Sequence, residues 1–317
     1  MRTRLELSRI AGSDAWSYAT LCIVILFWSG NIIVGRAVSG VIPPFILAFV
    51  RWSGAVLFVL PFAWRHLKAD WRLLLEHWKP VLLLGLTGVG AFNALIYSGL
   101  RFTTASNGLL LQAAIPAVVL VFGRFMFSDR ASRLQIVGVT LSMVGVAVIV
   151  LHGDVAVLAG FRFNFGDVLV LCGVVCWSLY TTLLRLRPDC HPISFLTTTF
   201  VIGALAMAPF AAADVVAGGG VPLRADVLGA FAYVALLPSL VSYVLYNAAV
   251  KRLGPAQAGQ MITLMPLTGA LLAAVLLGET LYLFHVAGMM LILGGITLGA
   301  LANRRRAGAY RRLNPSL

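Results

Sequence analysis

Apolar runs of about twenty residues recur along the whole chain, and the stretches between them gather most of its arginines and lysines. A run of that length crosses a hydrocarbon core of roughly 30 Å as an α-helix. Ten transmembrane helices are expected, at Ala19–Val38, Pro44–Phe62, Pro80–Leu100, Ser106–Met126, Leu134–Leu151, Phe165–Leu184, Ile193–Ala212, Val227–Ala249, Ala256–Leu277 and Phe284–Ala302. The first follows a tail holding Arg2, Arg4 and Arg9. It is too long for the apolar core of a secretory signal and lacks a small-residue cleavage site, so it reads as a retained helix. Composition agrees: the 317 residues are 60% hydrophobic and 11% charged, with a mean hydropathy of +0.95, against roughly 25% charged in a soluble domain. The expected fold class is an all-α polytopic membrane protein.

A formal net charge of +13 raises nucleic acid as a partner, but the distribution of that charge has another cause. Short cytoplasmic loops retain lysine and arginine. With ten spans, the tails and alternate loops hold Arg65, Lys68, Arg72, Lys79, Arg130, Arg133, Arg185, Arg187, Lys251, Arg252 and the run from Arg304 to Arg312; the opposite loops and helix ends hold only Arg36, Arg101, Arg162 and Arg224. Both termini are expected in the cytoplasm. The partners expected are membrane lipid and a small-molecule substrate, with no nucleic acid.

The ninth span carries a helix breaker at its middle, in GQMITLMPLTGALLAAVLLGE from Gly259 to Glu279, and LLLQAAIPAVVLVFGRFMFSD from Leu109 to Asp129 is its counterpart. Pro116 answers Pro266, Asp129 answers Glu279, Gly138 answers Gly288 and Gly145 answers Gly295, all at one constant offset. With one residue fewer, Trp28-Ser29 answers Trp177-Ser178, Arg36 answers Arg185, Pro43 answers Pro192 and Tyr97 answers Tyr246. The chain reads as a duplication. Each unit holds five spans, an odd number, so the second copy enters the membrane from the other side, the inverted-repeat arrangement of many secondary transporters. The organisation expected is a tail at 1–18, a first repeat at 19–151, a connecting loop at 152–164, a second repeat at 165–302 and a basic tail at 303–317.

Two five-helix units, each with an early Trp-Ser and an acidic residue ending the fourth helix before a Gly-rich fifth, resemble the EamA-type drug/metabolite transporter (DMT) superfamily. The second unit ends its fourth helix in Gly278-Glu279, like the usual Gly-Glu, whereas the first has Ser128-Asp129. The aromatic-rich helices are similar to those of YddG-type amino-acid exporters. The resemblance implies a bacterial inner (plasma) membrane location and a pathway bounded by helices one, three, four, six, eight and nine. It puts amino acids, aromatic ones included, first among substrates, with multidrug or other-metabolite efflux as the alternative.

The residues themselves mark a polar and aromatic lining on those helices. Trp28, Asn31 and Gly35 share one helix face, as do Asn93 and Tyr97. Their counterparts are Trp177 and Tyr180 in the sixth span and Ser239, Ser242, Tyr243 and Tyr246 in the eighth; Gln112 and Gln260 add amides in the fourth and ninth. The candidate cavity set is Trp28, Asn31, Asn93, Tyr97, Gln112, Trp177, Tyr180, Ser242, Tyr243, Tyr246 and Gln260. Single residues of this kind commonly join helices by hydrogen bonds; their clustering on pseudo-symmetric helices favours a cavity. Pro116, Pro238 and Pro266 are hinge candidates, because proline removes a backbone hydrogen bond from its helix. The inverted counterpart of Pro238 lies near Thr87 to Gly90, so both third helices are weakened at the middle.

Charges inside the bundle are few. Asp129 and Glu279 end their helices, within reach of water, and read as structural groups rather than proton carriers. Arg51 lies about two turns inside the second span, opposite apolar Phe200 in the other unit. It reads as snorkelling to the outer interface or bonding backbone carbonyls, with a role in holding a carboxylate as the alternative. Cys22, Cys172 and Cys176 read as buried structural thiols, and no spacing points to a metal or cofactor. The Gly295 and Gly299 spacing predicts close packing of the tenth helix on a neighbour, in this chain or another. HExxH, GxSxG and Walker patterns are missing, which disfavours an enzyme, and no charged or carbonyl-rich constriction marks a channel. The function expected is a secondary carrier working by alternating access.

Overall fold

In a computed structural model of the chain, residues 2–38, 40–103, 105–154, 164–218, 220–222, 224–277 and 282–313 are described. Glu279 and most of the expected connecting loop lie outside them. Every regular element among the described residues is helical: α1 Arg2–Ala37, α2 Pro44–Glu76, α3 Trp78–Leu84, α4 Phe92–Gly99, α5 Ala105–Gln112, α6 Ile115–Phe127, α7 Arg133–Val150, α8 Phe165–Leu183, α9 Pro192–Val216, α10 Ala225–Ala235, α11 Ser242–Leu253, α12 Pro255–Met261, α13 Met265–Leu277 and α14 Leu283–Leu313. Nine helices among the described residues are long and apolar enough to cross a membrane. The expected ninth span is divided between α12 and α13, neither of which reaches that length alone. Large apolar side chains stay on the outer surface, Phe125 being 82% exposed, as suits a hydrocarbon solvent rather than water.

Three helices outrun their apolar windows. α1 extends back to Arg2, α2 runs on to Glu76 and α14 to Leu313, because nothing in those polar stretches breaks a helix and hydropathy marks the membrane rather than the helix end. Other ends are set by local chemistry. Ser132 and Gln135 form a capping box at the start of α7, and Asn164 and Asp167 form another at α8, satisfying amides that lack helical partners. Ser128 closes α6 in the left-handed region at φ 55°.

Interruptions inside the spans follow from glycine and proline. The third span passes from α3 to α4 through a π-helical segment at Gly85–Ala91, and the eighth from α10 to α11 through another at Leu236–Val241. Pro238 offers no amide, and the Ser239 hydroxyl donates to Val234 O at 2.7 Å, the carbonyl an α-helical amide at 238 would have bonded. The fourth span breaks at Ala113 and Ala114, and the ninth tightens to a 3-10 turn at Ile262–Leu264. In both, the deformed turn lies just before a proline, Pro116 or Pro266, whose ring crowds the carbonyl four residues back.

Helix pairing is reciprocal between the halves. α2 packs on α9 and α7 on α14; α4 packs on α8 as α1 does on α11; α6 meets α8 as α13 meets α1. Exchanging first-half spans for second-half spans maps the first two pairings onto themselves and the others onto one another. The α7–α14 crossing is antiparallel and backbone-close: a Cβ on Gly138 would stand 2.6 Å from Gly295 O, and one on Gly145 2.7 Å from Gly288 O. The neighbour of the tenth helix is therefore in the same chain, and Gly299 makes room there for the Gln257 and Gln260 side chains. All four cysteines are free, but Cys22 and Cys172 are exposed on helix surfaces and Cys176 is half-buried, where buried thiols were expected. Cys190, in the loop before α9, is the buried one, and burial pushes its thiol up from its ordinary range.

Candidate functional site

A cavity of about 900 Å³ enters the bundle from the end carrying residues 40–44 and 100–103, within the size range of small-molecule sites. Gly40 and Arg101, both exposed, stand at its mouth with Pro44 and Thr103; Leu47 and Ile96 line its apolar wall. Trp28 and Asn31 reach it from α1, Arg51 from α2, Asn93 and Tyr97 from α4, Gln112 from the broken end of α5, Trp177 from α8 and Tyr243 from α11, with Ile262 and Met265 from the deformed turn of the ninth span.

Aromatic rings close the inner end. Trp28 meets Trp177 edge-on with centroids 5.1 Å apart, Trp177 lies 5.7 Å from Tyr243, and Tyr243 lies 5.3 Å from Trp52. Edge-to-face geometry of this kind is favoured by the ring quadrupoles. Gly88 admits the Tyr180 ring into the space a Cβ would fill. Two of these rings reach backbone oxygens in the two π segments, Trp28 Nε1 donating to Pro238 O at 3.0 Å and the Tyr243 hydroxyl to Gly88 O at 2.5 Å, whereas Trp52 Nε1 and Trp177 Nε1 have no hydrogen-bond partner among the described residues. Each interruption in one half thus has its carbonyl bonded by a ring outside its own span.

Of the eleven sequence-expected cavity residues, Trp28, Asn31, Asn93, Tyr97, Gln112, Trp177 and Tyr243 line the space. Tyr180, Ser242, Tyr246 and Gln260 do not. Tyr180 OH donates to Asn247 Oδ1 at 2.8 Å, Tyr246 OH and Thr181 Oγ1 are 3.0 Å apart, and Ser242 Oγ donates to Leu237 O at 2.8 Å. Gln260 Nε2 donates to Gly295 O at 2.9 Å and to Ser142 Oγ at 3.2 Å, joining α12 to α14 and α7. These groups fill the bundle behind the aromatic floor or toward the α7–α14 pair. Of the three prolines, Pro116 and Pro266 follow the two deformed turns, and Pro238 lends its carbonyl to the floor.

Arg51 is a correction to the sequence reading. Its side chain does not run out to the interface; it is 3% exposed and lines the cavity. Nε donates to Ser239 Oγ at 2.5 Å; Nη1 donates to Asn93 Oδ1 and Tyr97 OH at 3.0 Å each and to Asn31 Oδ1 at 3.4 Å; Nη2 donates to Pro238 O at 3.1 Å. The backbone bond was one of the expected outcomes, the polar cluster was not. The signal available in the sequence was the charge itself, two turns inside an apolar run.

The other end of the bundle is cross-linked by polar pairs. Arg185 pairs with Asp129 at 2.8 Å and lies over the Phe127 ring, Arg252 reaches Asp14 at 3.3 Å, Lys251 reaches Asp189 at 3.6 Å, and the His191 amide donates to Asp70 at 3.0 Å. Such exposed pairs are individually worth about 0–1 kcal/mol. Their common feature is that they join different helices or the loop between them at one end only.

The signature of the EamA-like transporter family matches residues 15–151 and again 164–300. A protein of Salmonella typhimurium described as a probable amino-acid metabolite efflux pump is 26% identical over 301 residues, covering 90% of this chain and 95% of its own length. An uncharacterized transporter of Archaeoglobus fulgidus is 26% identical over 287 residues, 89% of this chain and 96% of its own. The uncharacterized transporter YyaM of Bacillus subtilis is 28% identical over 218 residues, 68% of this chain and 70% of its own. One solved crystal structure superposes with a TM-score of 0.69 at 18% identity, covering 92% of this chain and 98% of its own. That likeness bears on the fold alone.

Proposed function

The chain belongs to the EamA-like transporter family, and from that premise we propose that it is a ten-span secondary carrier of small amino-acid-like metabolites, built from two inverted five-helix repeats and working by alternating access. The observation that carries this reading is a one-sided cavity inside a reciprocally paired bundle. The expected repeat equivalences, Gly138 with Gly288 and Gly145 with Gly295, fall on helices that cross antiparallel, each glycine against the other's counterpart. That is the contact pattern an inverted pair makes about a two-fold axis in the membrane plane. Inversion also accounts for the divided site list. Asn31 and Tyr97 face the open cavity while their counterparts Tyr180 and Tyr246 are packed at the closed end; on switching state, the two sets exchange roles.

The repeats as expected, 19–151 and 165–302, and the connecting loop between them belong to this proposal, as does orientation. Basic residues at the closed end support a cytoplasmic position for that end, with the mouth outside an inner membrane. A reporter fused after Leu317 is expected to act inside and one inserted between Phe161 and Phe165 outside; a C-terminus on the outer side would overturn the ten-span count.

Amino-acid-like cargo is supported by the size of the cavity, its aromatic floor and its amide and hydroxyl walls, and by the description of the Salmonella relative. Proteoliposomes loaded with unlabelled amino acid should accumulate the labelled form by saturable counterflow. A pH gradient should change that exchange little, since no Asp or Glu among the described residues lines the cavity. Linear, unsaturable flux would point to a channel, and no flux of any amino acid would remove this substrate class.

A further inference from the structure

A guanidinium inside a membrane bundle needs an electrostatic reason. Every hydrogen bond from Arg51 ends on an oxygen without formal charge, in Asn31, Asn93, Tyr97, Ser239 and the Pro238 carbonyl. Among the described residues, the ion pairs join other groups and no Asp or Glu lines the cavity. A second cation, Arg101, stands at the mouth. Arg51 also lies over the Trp52 ring, 4.6 Å from its centroid, so its planar fork is held from beneath and from the sides. A buried charge solvated only by neutral dipoles is costly to keep, and a pre-oriented guanidinium is the side chain best matched to a planar oxyanion.

We propose that the missing charge arrives with the cargo: Arg51 receives the substrate's carboxylate, and the cavity selects carboxylate-bearing molecules over their neutral or cationic analogues. This rests on the carrier reading above and adds its determinant of specificity. It also disfavours cationic amphipaths, which would set like charge against the buried Arg51. The polar residues around Arg51 act as positioning groups, and the aromatic floor remains for the substrate's apolar part.

Trp28 and Trp177 line the cavity, so tryptophan fluorescence of the purified protein reads binding. The probes are L-phenylalanine, L-phenylalaninamide, 3-phenylpropionate and phenethylamine, which share a ring and differ in charge. Both carboxylates should bind at least about tenfold tighter than the amide and the amine. Arg51→Gln should erase that difference and Arg51→Lys should keep part of it, with elution volume and melting temperature near wild type. If Arg51→Gln does not fold, the wild-type ranking decides. Equal binding of the amide or amine, or no binding of either carboxylate, overturns the proposal. Counterflow of the same probes separates the two readings: flux indifferent to the carboxylate removes the role of Arg51 and leaves a carrier, whereas carboxylate-dependent binding without flux keeps that role and removes the carrier.

Discussion

Gly138→Leu is expected to melt roughly 5–10 °C below the wild-type protein, while Gly229→Ala melts with it. At Gly138 a Cβ would stand 2.6 Å from Gly295 O and 3.1 Å from Gly299 N, so the obstacle is backbone on both counts; at Gly229 nothing lies within 4 Å. A flexible side chain can turn aside, but two helix backbones can only separate. Separation would also pull Ser142 Oγ from Ile292 O, now 3.3 Å away, and loosen the Gln260 bonds to α14 and α7. Overpacking costs about 1–3 kcal/mol at ordinary core positions, and a backbone clash belongs at the upper end, worth roughly 5–10 °C in melting temperature. Detergent-solubilised protein followed by size exclusion and thermal melting reads both variants. A Gly138→Leu protein that melts like wild type would show that the α7–α14 crossing is not a fixed contact.

That crossing was half legible beforehand. The glycine equivalences and the small-residue spacing stand in the sequence, whereas the identity of the neighbouring helix depends on how ten spans fold together. Nine of the ten expected windows fall on helices that are, among the described residues, long and apolar enough to cross a membrane. Hydropathy missed where α1, α2 and α14 end, since a helix stops at a cap or breaker and not at the membrane surface. The division of the ninth span was foreshadowed by Pro266. Its form, a 3-10 turn ahead of the proline, is a property of the packed backbone.

The site was less legible, for two physical reasons. A repeat shows which residues are equivalent, but the cavity takes both members of some pairs, as with Trp28 and Trp177, and one member of others. Tyr97 is a wall residue and Tyr246 is packing, although the sequence treats them alike. Arg51 fails differently. Its partners lie in α1, α4 and the π segment of the eighth span, and one acceptor, Pro238 O, also bonds Trp28. No local pattern in the second span encodes that meeting point, so an arginine two turns inside it, with no partner nearby in the sequence, reads as a snorkelling one.

Pro116→Ala and Pro266→Ala are expected to slow exchange about tenfold while leaving substrate affinity nearly unchanged. In both spans the deformed turn sits just ahead of the proline, at Ala113–Ala114 and at Ile262–Leu264, and both turns reach the cavity or its edge through Gln112, Ile262 and Met265. Alanine restores the amide that proline lacks and removes the ring that crowds the preceding carbonyl. One recovered backbone hydrogen bond is worth about 1 kcal/mol, and a tenfold rate change needs about 1.4 kcal/mol, so a single straightened turn is of the right size to hold one state against the other. Because the repeats are inverted in the proposed mechanism, the two variants should favour opposite states. The proteins should melt higher than wild type, since the added bond stabilises whichever state contains it. Affinity is measured in detergent and exchange in proteoliposomes, so that trapping is distinguished from loss of binding. If both variants bind and exchange like wild type, Pro116 and Pro266 are fixed kinks that shape the cavity wall, and the motion must be sought in the π segments around Thr87 and Pro238.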